Sequence, residues 1–331
     1  MNTQARNIWE QEDWPRFHWQ IETVQPKLEA IRCLQGQLHE KLDRLPIHSA
    51  QQVQVDVAVE NIVRNHNKQQ AQFNLDSFIS SAANLIKHDN FSTLDNRKDA
   101  LLDLWCGNKH NLQEALTKEH LCRWHKAIYL NDNEATTDAT NDYGKIRHTD
   151  KKKYLTSAEQ RESHFEPPPD FTLPLELTGF LYWFNHKSKK MDGLTRAAVA
   201  HLWIMVLQPF KHGNETIAKL VTDFALAQTE PQTTRYYSLS AAIEKNRYEY
   251  DRCLNIVLAG TITITDWLNH FFQILEDAHE MGVSKVNTLL EETRGKLSFI
   301  LPALKSVFKS IRHFVKPLTD QLSFFYGRGS P

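Results

Sequence analysis

Residues 194–226 decide the fold prediction and read LTRAAVAHLWIMVLQPFKHGNETIAKLVTDFAL. Residues 194–207 are apolar nearly all round, which predicts a central buried helix. Residues 216–228 place apolar side chains at helical spacing and predict an amphipathic helix. The turn between them, 208–215, contains a glycine and leads into a helix N-terminus, whose unpaired N–H groups and dipole favour an anion. The sequence therefore predicts a helix–loop–helix with a candidate anion site at its turn.

The composition also favours a mainly helical protein. Only 11 of the 331 residues are glycine, and apolar residues recur at helical spacing over long stretches. There are 39 basic and 40 acidic residues, so the net charge of −1 gives no chain-wide reason to bind nucleic acid or an anionic membrane. The four cysteines form no CxxC pair, which argues against a zinc or redox motif and favours a reducing compartment.

Targeting signals are missing from the sequence as it stands. The start lacks the basic-then-apolar layout of a signal peptide, and no apolar stretch is long enough to span a bilayer. We therefore expect a cytoplasmic protein. A secreted effector could lack the same signals.

Three regions follow from the pattern. We predict an N-terminal helical domain over 1–110, a second domain over 111–260 and a C-terminal helical extension over 261–331. A helix is predicted from near Pro26 to Leu42, because proline suits a first helical turn. The aromatic residues before it are predicted to pack as a cap over a helix bundle: Trp9, Trp14, Phe17 and Trp19.

The second region contains a polar segment between helices. Residues 131–165 are rich in Asp, Asn, Thr and Lys and predict an exposed loop or a short hairpin. Helices are expected at 116–129 before it and at 175–185 after it. The three lysines at 151–153 indicate either a solvated face or a phosphate or substrate contact.

Several of these stretches resemble one known family. Residues 194–226 resemble the signature helix–loop–helix of the Fic family, whose motif reads HPFx[DE]GNGRxxR. Further matches in the same order are LTKEHLCRWHKAIY at 116–129, YGKIRH at 143–148, HFEPPPDFTLPLELTGFLYWFN at 164–185 and YYSLSAAIEKNRYEYDRCLN at 236–255. The N-terminal residues resemble the domain that precedes Fic in one bacterial subgroup. The resemblance covers about 1–280 and implies an all-α Fic (Fido) fold with an N-terminal helical domain and a short β-hairpin flap.

The resemblance also implies a chemistry. Fic proteins typically act as adenylyltransferases, which move AMP from ATP onto a protein hydroxyl. In the family motif the histidine is the general base and the acidic residue holds Mg²⁺ against the phosphates. The Gly–Asn–Gly backbone cradles the anion, and the arginines neutralise the outer phosphates.

This chain departs from that motif at most of its chemical positions. Gln208 stands at the histidine position, and its neutral amide cannot act as a base. His212 stands at the acidic position, and imidazole suits zinc or copper better than Mg²⁺. The remaining nucleotide-binding positions carry two matches and three replacements: Gly213 and Asn214 are kept, and Glu215, Thr216 and Lys219 replace glycine, arginine and arginine.

Positions elsewhere match better. Arg247 and Tyr250 keep the spacing of the family helix that approaches the adenine, with Asp251 at its second tyrosine. The flap pattern is kept by Gly144, Lys145 and Arg147. These residues are either retained for folding or form a remnant nucleotide or peptide groove. The glutamate of the subgroup's self-inhibitory motif is replaced by Gln69.

We therefore predict a pseudoenzyme that acts by binding or regulation, with AMP transfer absent or residual. The alternative is an active nucleotidyl- or phosphate-group transferase of altered chemistry in the same cleft. We expect no metal site and no cofactor, with ATP and Mg²⁺ only where activity is retained. We expect a protein partner, with a homodimer as one option, and neither membrane nor nucleic-acid binding. The region after 261 does not predict a complete winged helix, which argues against DNA binding.

Overall fold

The computed structural model describes residues 7–65, 114–129, 142–148, 165–230 and 236–294. Its longer helices are α1 (Ile21–Leu42), α2 (Ile47–Asn65), α3 (Lys118–Tyr129), α4 (Leu173–Tyr182), α5 (Gly193–Leu207), α6 (Asn214–Ala227), α7 (Leu239–Lys245), α8 (Arg247–Leu258) and α9 (265–294). Within the described ranges there is no sheet, and His18 and Thr263 form an isolated parallel bridge. The predicted mainly helical fold is confirmed.

Helix α5 is the centre of the molecule, as its apolar sequence predicts. All its residues from Leu194 to Leu207 are buried. The carboxylate of Asp192 caps its start by accepting hydrogen bonds from the backbone N–H groups of Leu194 and Thr195, both at 3.1 Å. Helix α6 makes the most extensive helix–helix contact with α5 among the described elements. This pair fixes the turn between them in space.

The N-terminal aromatic residues pack on this centre. Trp203 of α5 is met edge-on by Trp14 and Phe17, whose ring centroids lie 5.7 and 5.6 Å away. On its other sides Trp203 contacts Trp183 and Phe180, at 5.1 and 5.6 Å. Trp14 and Phe17 thus form the cap that the sequence predicts.

The predicted start of α1 at Pro26 is wrong. The helix begins at Ile21, and Pro26 lies inside it. Tertiary contacts fix the residues just before the helix. The backbone N–H of Gln20 donates to Thr265 Oγ1 at 3.0 Å, and His18 forms the isolated parallel β-bridge with Thr263. These contacts outweigh the hydrogen bond that a proline cannot donate within a helix.

Helix α4 also ends differently from the prediction of one helix over 175–185. Residues Trp183–Lys187 form a π-turn, and Ser188–Lys190 form a 3₁₀ turn. The Asn185 amide faces the start of α3, where it accepts from the N–H of Leu116 and donates to its carbonyl, both at 2.8 Å. The π-turn that ends α4 therefore contains the residue that holds the backbone of Leu116.

Helix α9 begins at residue 265 and is anchored to the centre. The indole N–H of Trp267 donates to the carbonyl of Ala198 at 3.1 Å, and its ring is fully buried. The predicted β-hairpin flap is not confirmed, since residues 142–148 form a turn without a strand and most of 131–165 lies outside the described residues. Across the described ranges, no helix is both long and apolar enough to cross a bilayer.

Candidate functional site

The turn after α5 has a left-handed residue at each end. Gln208 has φ 43° and ψ 63°, and its N–H donates to the carbonyl of Ile204 at 2.8 Å, which closes α5. Gly213 has φ 68° and directly precedes α6. Left-handed backbone costs a side-chain-bearing residue about 1–2 kcal/mol, so Gly213 is suited to its place and Gln208 is held there by the fold.

Asn214 shapes the interior of the turn. Its Oδ1 accepts from the N–H of Phe210 at 2.9 Å, and its Nδ2 donates to the Phe210 carbonyl at 2.8 Å. Both faces of the amide are therefore used to hold the backbone of one residue. Phe210 itself is fully buried.

His125 of α3 connects the turn with the flap. Its ring stacks on Phe210 at 4.0 Å with an interplanar angle of 6°. Its Nδ1 accepts from the N–H of Gly144 at 2.9 Å, so the proton is on Nε2, which donates to the His212 carbonyl at 3.1 Å. Burial lowers the pKa of His125 from 6.5 to about 4, and the ring is neutral near pH 7.

Gly144 lies against α3 in a conformation that requires glycine. Its φ is 76°, and a Cβ there would come within 3.0 Å of the Cys122 carbonyl oxygen and 3.1 Å of Lys126 Cβ. The flap therefore approaches α3 more closely than any larger residue allows.

Arg147 of the flap binds the end of α5. Its Nε donates to the Gln208 carbonyl at 2.9 Å, and its Nη2 donates to the carbonyls of Leu207, at 3.3 Å, and Pro168. Its backbone N–H also donates to the Pro209 carbonyl at 2.9 Å. The last carbonyls of a helix lack intrahelical partners and carry the negative end of the dipole, so this buried guanidinium is a C-terminal cap.

Glu215 pairs with both cations of the candidate anion site. Its two carboxylate oxygens accept a bidentate pair of hydrogen bonds from Arg247, at 2.7 and 2.8 Å. Lys219 Nζ lies 2.7 Å from Oε1, one helical turn along α6. Arg247 also pairs with Asp251 at 3.2 Å, so two cations meet two carboxylates and the formal charge of the cluster is zero.

Electrostatics keep the Glu215 carboxyl ionised. Burial alone raises its pKa, but the neighbouring charges of Lys219 and Arg247 outweigh burial and hold the pKa below its ordinary value. The residue also lies in the first turn of α6, where the helix dipole favours a negative charge. A carboxylate of the protein therefore takes the place that the sequence predicts for a bound anion.

Tyr250 faces the interior and is fully buried. The Thr222 hydroxyl donates to the Ala218 carbonyl at 2.7 Å, so its oxygen accepts from His201 Nδ1 at 2.9 Å. His201 Nε2 then accepts from the Tyr250 hydroxyl at 2.8 Å. Burial lowers the pKa of His201 to about 3 and raises that of Tyr250, so both are neutral near pH 7.

The structure brings most predicted site residues to this one region and leaves others apart. Asn214, Glu215, Lys219 and Arg247 form the cluster at the start of α6. The side chains of His212 and Lys145 are exposed, Gln208 is buried and Thr216 is half-buried. Gln69 and the lysines at 151–153 lie outside the described residues. Within the described ranges, no three His, Cys, Asp or Glu side chains form a metal-binding group.

Two histidines of the site have no role in the sequence prediction. His125 lies in a matched stretch but outside the Fic motif, and His201 reads as an interruption of an apolar helix. Their functions depend on contacts with residues far along the chain. A single sequence contains no periodic signal for such contacts.

Comparisons with known proteins match two parts of this chain to family models and find a solved structure with a similar fold. A model of the Fic/DOC family matches residues 115–226, and a model described as a domain of unknown function, DUF4172, matches residues 7–87. No curated protein matches the chain. A Fic-domain-containing signaling protein from Bacteroides thetaiotaomicron shares the fold, with a TM-score of 0.51 and 16% identity over 78% of this chain and 97% of that one.

Two further solved structures match at a lower level. A Fic family protein from Desulfovibrio desulfuricans has a TM-score of 0.48 and 14% identity, over 77% of this chain and 74% of that one. Fic-1 from C. elegans has a TM-score of 0.49 and 13% identity, over 82% and 73%. The family match and the fold shared with the Bacteroides protein show that residues 115–226 form a Fic/DOC-type domain, which a helical region precedes.

Proposed function

We propose that the protein is a Fic-family pseudoenzyme, which has lost AMP transfer from ATP and acts by binding or regulation. The observation that supports this most is the position of Glu215. Its carboxylate is bound by Lys219 and Arg247, the cations expected to meet the phosphates of a nucleotide. An incoming phosphate would have to displace an ionised carboxylate and then lie beside it.

The residues present do not fit ATP and Mg²⁺. His212 offers an imidazole where Mg²⁺ prefers a carboxylate oxygen. Gln208 offers an amide where a base is needed, and loss of general-base assistance alone costs about 10²- to 10⁴-fold in rate. His125 does not substitute as the base, because both ring nitrogens are engaged and burial holds its pKa near 4.

A thermal-shift titration tests whether the site has lost nucleotide binding. We expect no saturable change in the unfolding midpoint with ATP, ADP or AMP, with or without Mg²⁺. A ligand that binds only the folded state raises the midpoint as its concentration exceeds the Kd, so binding would be seen directly. A saturable shift that requires Mg²⁺ would contradict the proposal and favour the alternative of an altered transferase.

Restoration of the motif tests the origin of the loss. The variant Gln208→His, His212→Asp, Glu215→Gly, Thr216→Arg should transfer AMP from labelled ATP, if the scaffold is otherwise competent. The matched control carries the last three changes and keeps Gln208. It should bind nucleotide but transfer little label, because it lacks the base. Transfer by the unaltered protein at a rate similar to the restored variant would overturn the proposal.

A further inference from the structure

An aromatic groove lies beside α4, away from the Fic turn. It has a volume of about 770 Å³ and is bordered by residues 15–19 on one side and by α4 with its π-turn on the other. Its lining is dominated by aromatic rings: Phe17, Trp19, Tyr182, Trp183 and Trp203. Concave, mainly apolar surfaces of this size are typical of binding sites. None of its lining residues belongs to the turn at 208–213 or to the Glu215 cluster.

The outer edge of the groove presents an apolar stripe to solvent. Phe171, Leu175 and Tyr182 are 81%, 76% and 54% exposed. Leu175 and Tyr182 are separated by seven residues, which places them on the same face of the helix. Gly179 lies between them, and a Cβ built on it would meet nothing within 4 Å. The groove therefore has open space at the middle of this face, where a side chain of a bound segment fits.

The charges at the groove are mainly positive. Arg16 and Lys187 line it, and neither makes an ion pair within the described residues. The acidic lining residue is Glu176, whose carboxylate accepts a hydrogen bond from the Trp14 indole at 3.0 Å. Lys189 and Lys190 follow on the adjoining turn and are exposed. The rim therefore favours an occupant that carries carboxylates.

We propose that this groove docks an acidic amphipathic segment of a partner protein, with apolar side chains inserted beside Gly179 and carboxylates at Arg16 and Lys187. Amphipathic helices bind apolar grooves in this way, through anchors at helical spacing. The C-terminal residues of this chain, 285–331, do not match that chemistry, because they contain eight Lys or Arg and three Asp or Glu. The proposal rests on a binding role for the protein but uses other residues than the Fic site, so either can fail alone.

Gly179→Leu is the variant that tests the groove. The Cβ of the added side chain enters open space in the wall of the groove, and replacing a helical glycine does not weaken the helix. Gly36→Leu in α1 is the matched control, since a Cβ at Gly36 also meets nothing within 4 Å. Both variants should fold, which a circular dichroism melt checks.

The experiment uses a displayed library of random 16-residue peptides, selected on the full chain and counter-selected on Gly179→Leu. We expect groove-dependent binders with apolar residues at i, i+3, i+4 and i+7 and an excess of Asp and Glu. In fluorescence anisotropy, Gly179→Leu should weaken the best peptide at least tenfold, while Gly36→Leu should change its Kd less than twofold. Arg16→Glu with Lys187→Glu should weaken an acidic peptide about tenfold and remove most of its salt dependence.

Three outcomes would overturn the proposal. One is the absence of groove-dependent binders in the selection. Another is a failure of the charge prediction: either the selected peptides have no excess of Asp and Glu, or their affinity is the same for Arg16→Glu with Lys187→Glu as for the unaltered chain. The third is a concentration-dependent dimer of the unaltered chain that Gly179→Leu dissociates, which would make a second copy the occupant. Gained AMP transfer by the restored Fic motif has no bearing on these results.

Discussion

At the scale of single residues, Glu215 determines what the start of α6 can bind. Its carboxylate satisfies the helix N-terminus, Lys219 and Arg247 together. The same three features attract anions when they are unoccupied. Glu215 therefore acts as an internal ligand, and its removal should expose a site for a small polyanion.

Glu215→Ala should make the protein bind inorganic pyrophosphate. With the carboxylate gone, Lys219 and Arg247 lie close together without their shared partner, so the variant should lose about 1–3 kcal/mol of stability. Pyrophosphate should then restore the unfolding midpoint in a saturable way, with a Kd at least tenfold tighter than for the unaltered protein. Thermal shift and isothermal titration calorimetry measure both effects.

The control for this variant is Glu249→Ala. Glu249 pairs with Arg252 on the surface of α8, where both side chains are about half exposed. Its loss should change stability little and create no pyrophosphate site. Equal pyrophosphate affinity in the two variants would refute the role of Glu215.

The sequence predicted which residues occupy this region but not how they pair. Glu215 and Lys219 are one helical turn apart, so their contact follows from spacing. Arg247 lies 32 residues after Glu215, and only the fold brings the start of α8 to the carboxylate at the start of α6. The use of Asn214 to hold Phe210 is likewise a product of the left-handed turn. Hydrophobic periodicity does not predict the left-handed backbone conformation of Gln208 and Gly213.

At the scale of secondary-structure elements, periodicity predicted the helices and tertiary contacts moved their ends. α5 begins one residue before the predicted 194 and ends at the predicted 207. α1 begins five residues before Pro26, because Gln20 is held by Thr265. α4 gives way to a π-turn where Asn185 binds the backbone of Leu116, just before α3. The differences at α1 and α4 each arise from a partner far away in the sequence.

Arg147→Met should destabilise the end of α5. The substitution keeps a long apolar side chain but leaves the carbonyls of Leu207, Gln208 and Pro168 without their buried donor. Loss of charge-assisted hydrogen bonds to buried groups costs about 1.5–3 kcal/mol each at most, and partial replacement by water reduces the sum. We expect a loss of about 2–4 kcal/mol in urea unfolding.

Arg147→Lys provides the comparison. Lysine keeps the charge at the helix C-terminus but has no fork with which to reach three carbonyls. Its stability should therefore lie between those of the unaltered protein and Arg147→Met. Exposed Arg123 of α3 supplies a control, and Arg123→Met should change stability by less than about 0.5 kcal/mol. A loss at Arg147 no larger than this would show that the guanidinium does not cap α5.

At the scale of the whole molecule, two buried neutral histidines make the free energy of unfolding depend on pH. One lies beside the Fic turn and the other in the central helix α5. His125 and His201 have pKa values of about 4 and about 3 in the folded protein, both lowered from 6.5 by burial. As pH falls below 6.5 the unfolded chain binds protons that the folded protein does not bind. The free energy of unfolding must then decrease as pH decreases. Burial also lowers the pKa of His120 and His270, which adds to the same trend.

The protein should therefore lose stability steeply between pH 6.5 and about pH 4. Each histidine contributes a slope of about 1.4 kcal/mol per pH unit, so His125 and His201 together contribute about 2–3 kcal/mol per unit between pH 6 and 5. Urea unfolding at closely spaced pH values measures this slope. His125→Gln should lower it by about 1 kcal/mol per pH unit, while His48→Gln, at an exposed position of α2, should leave it nearly unchanged. An unaltered slope in His125→Gln would mean that His125 is not held neutral, and that the contacts joining Gly144, Phe210 and His212 do not persist in solution.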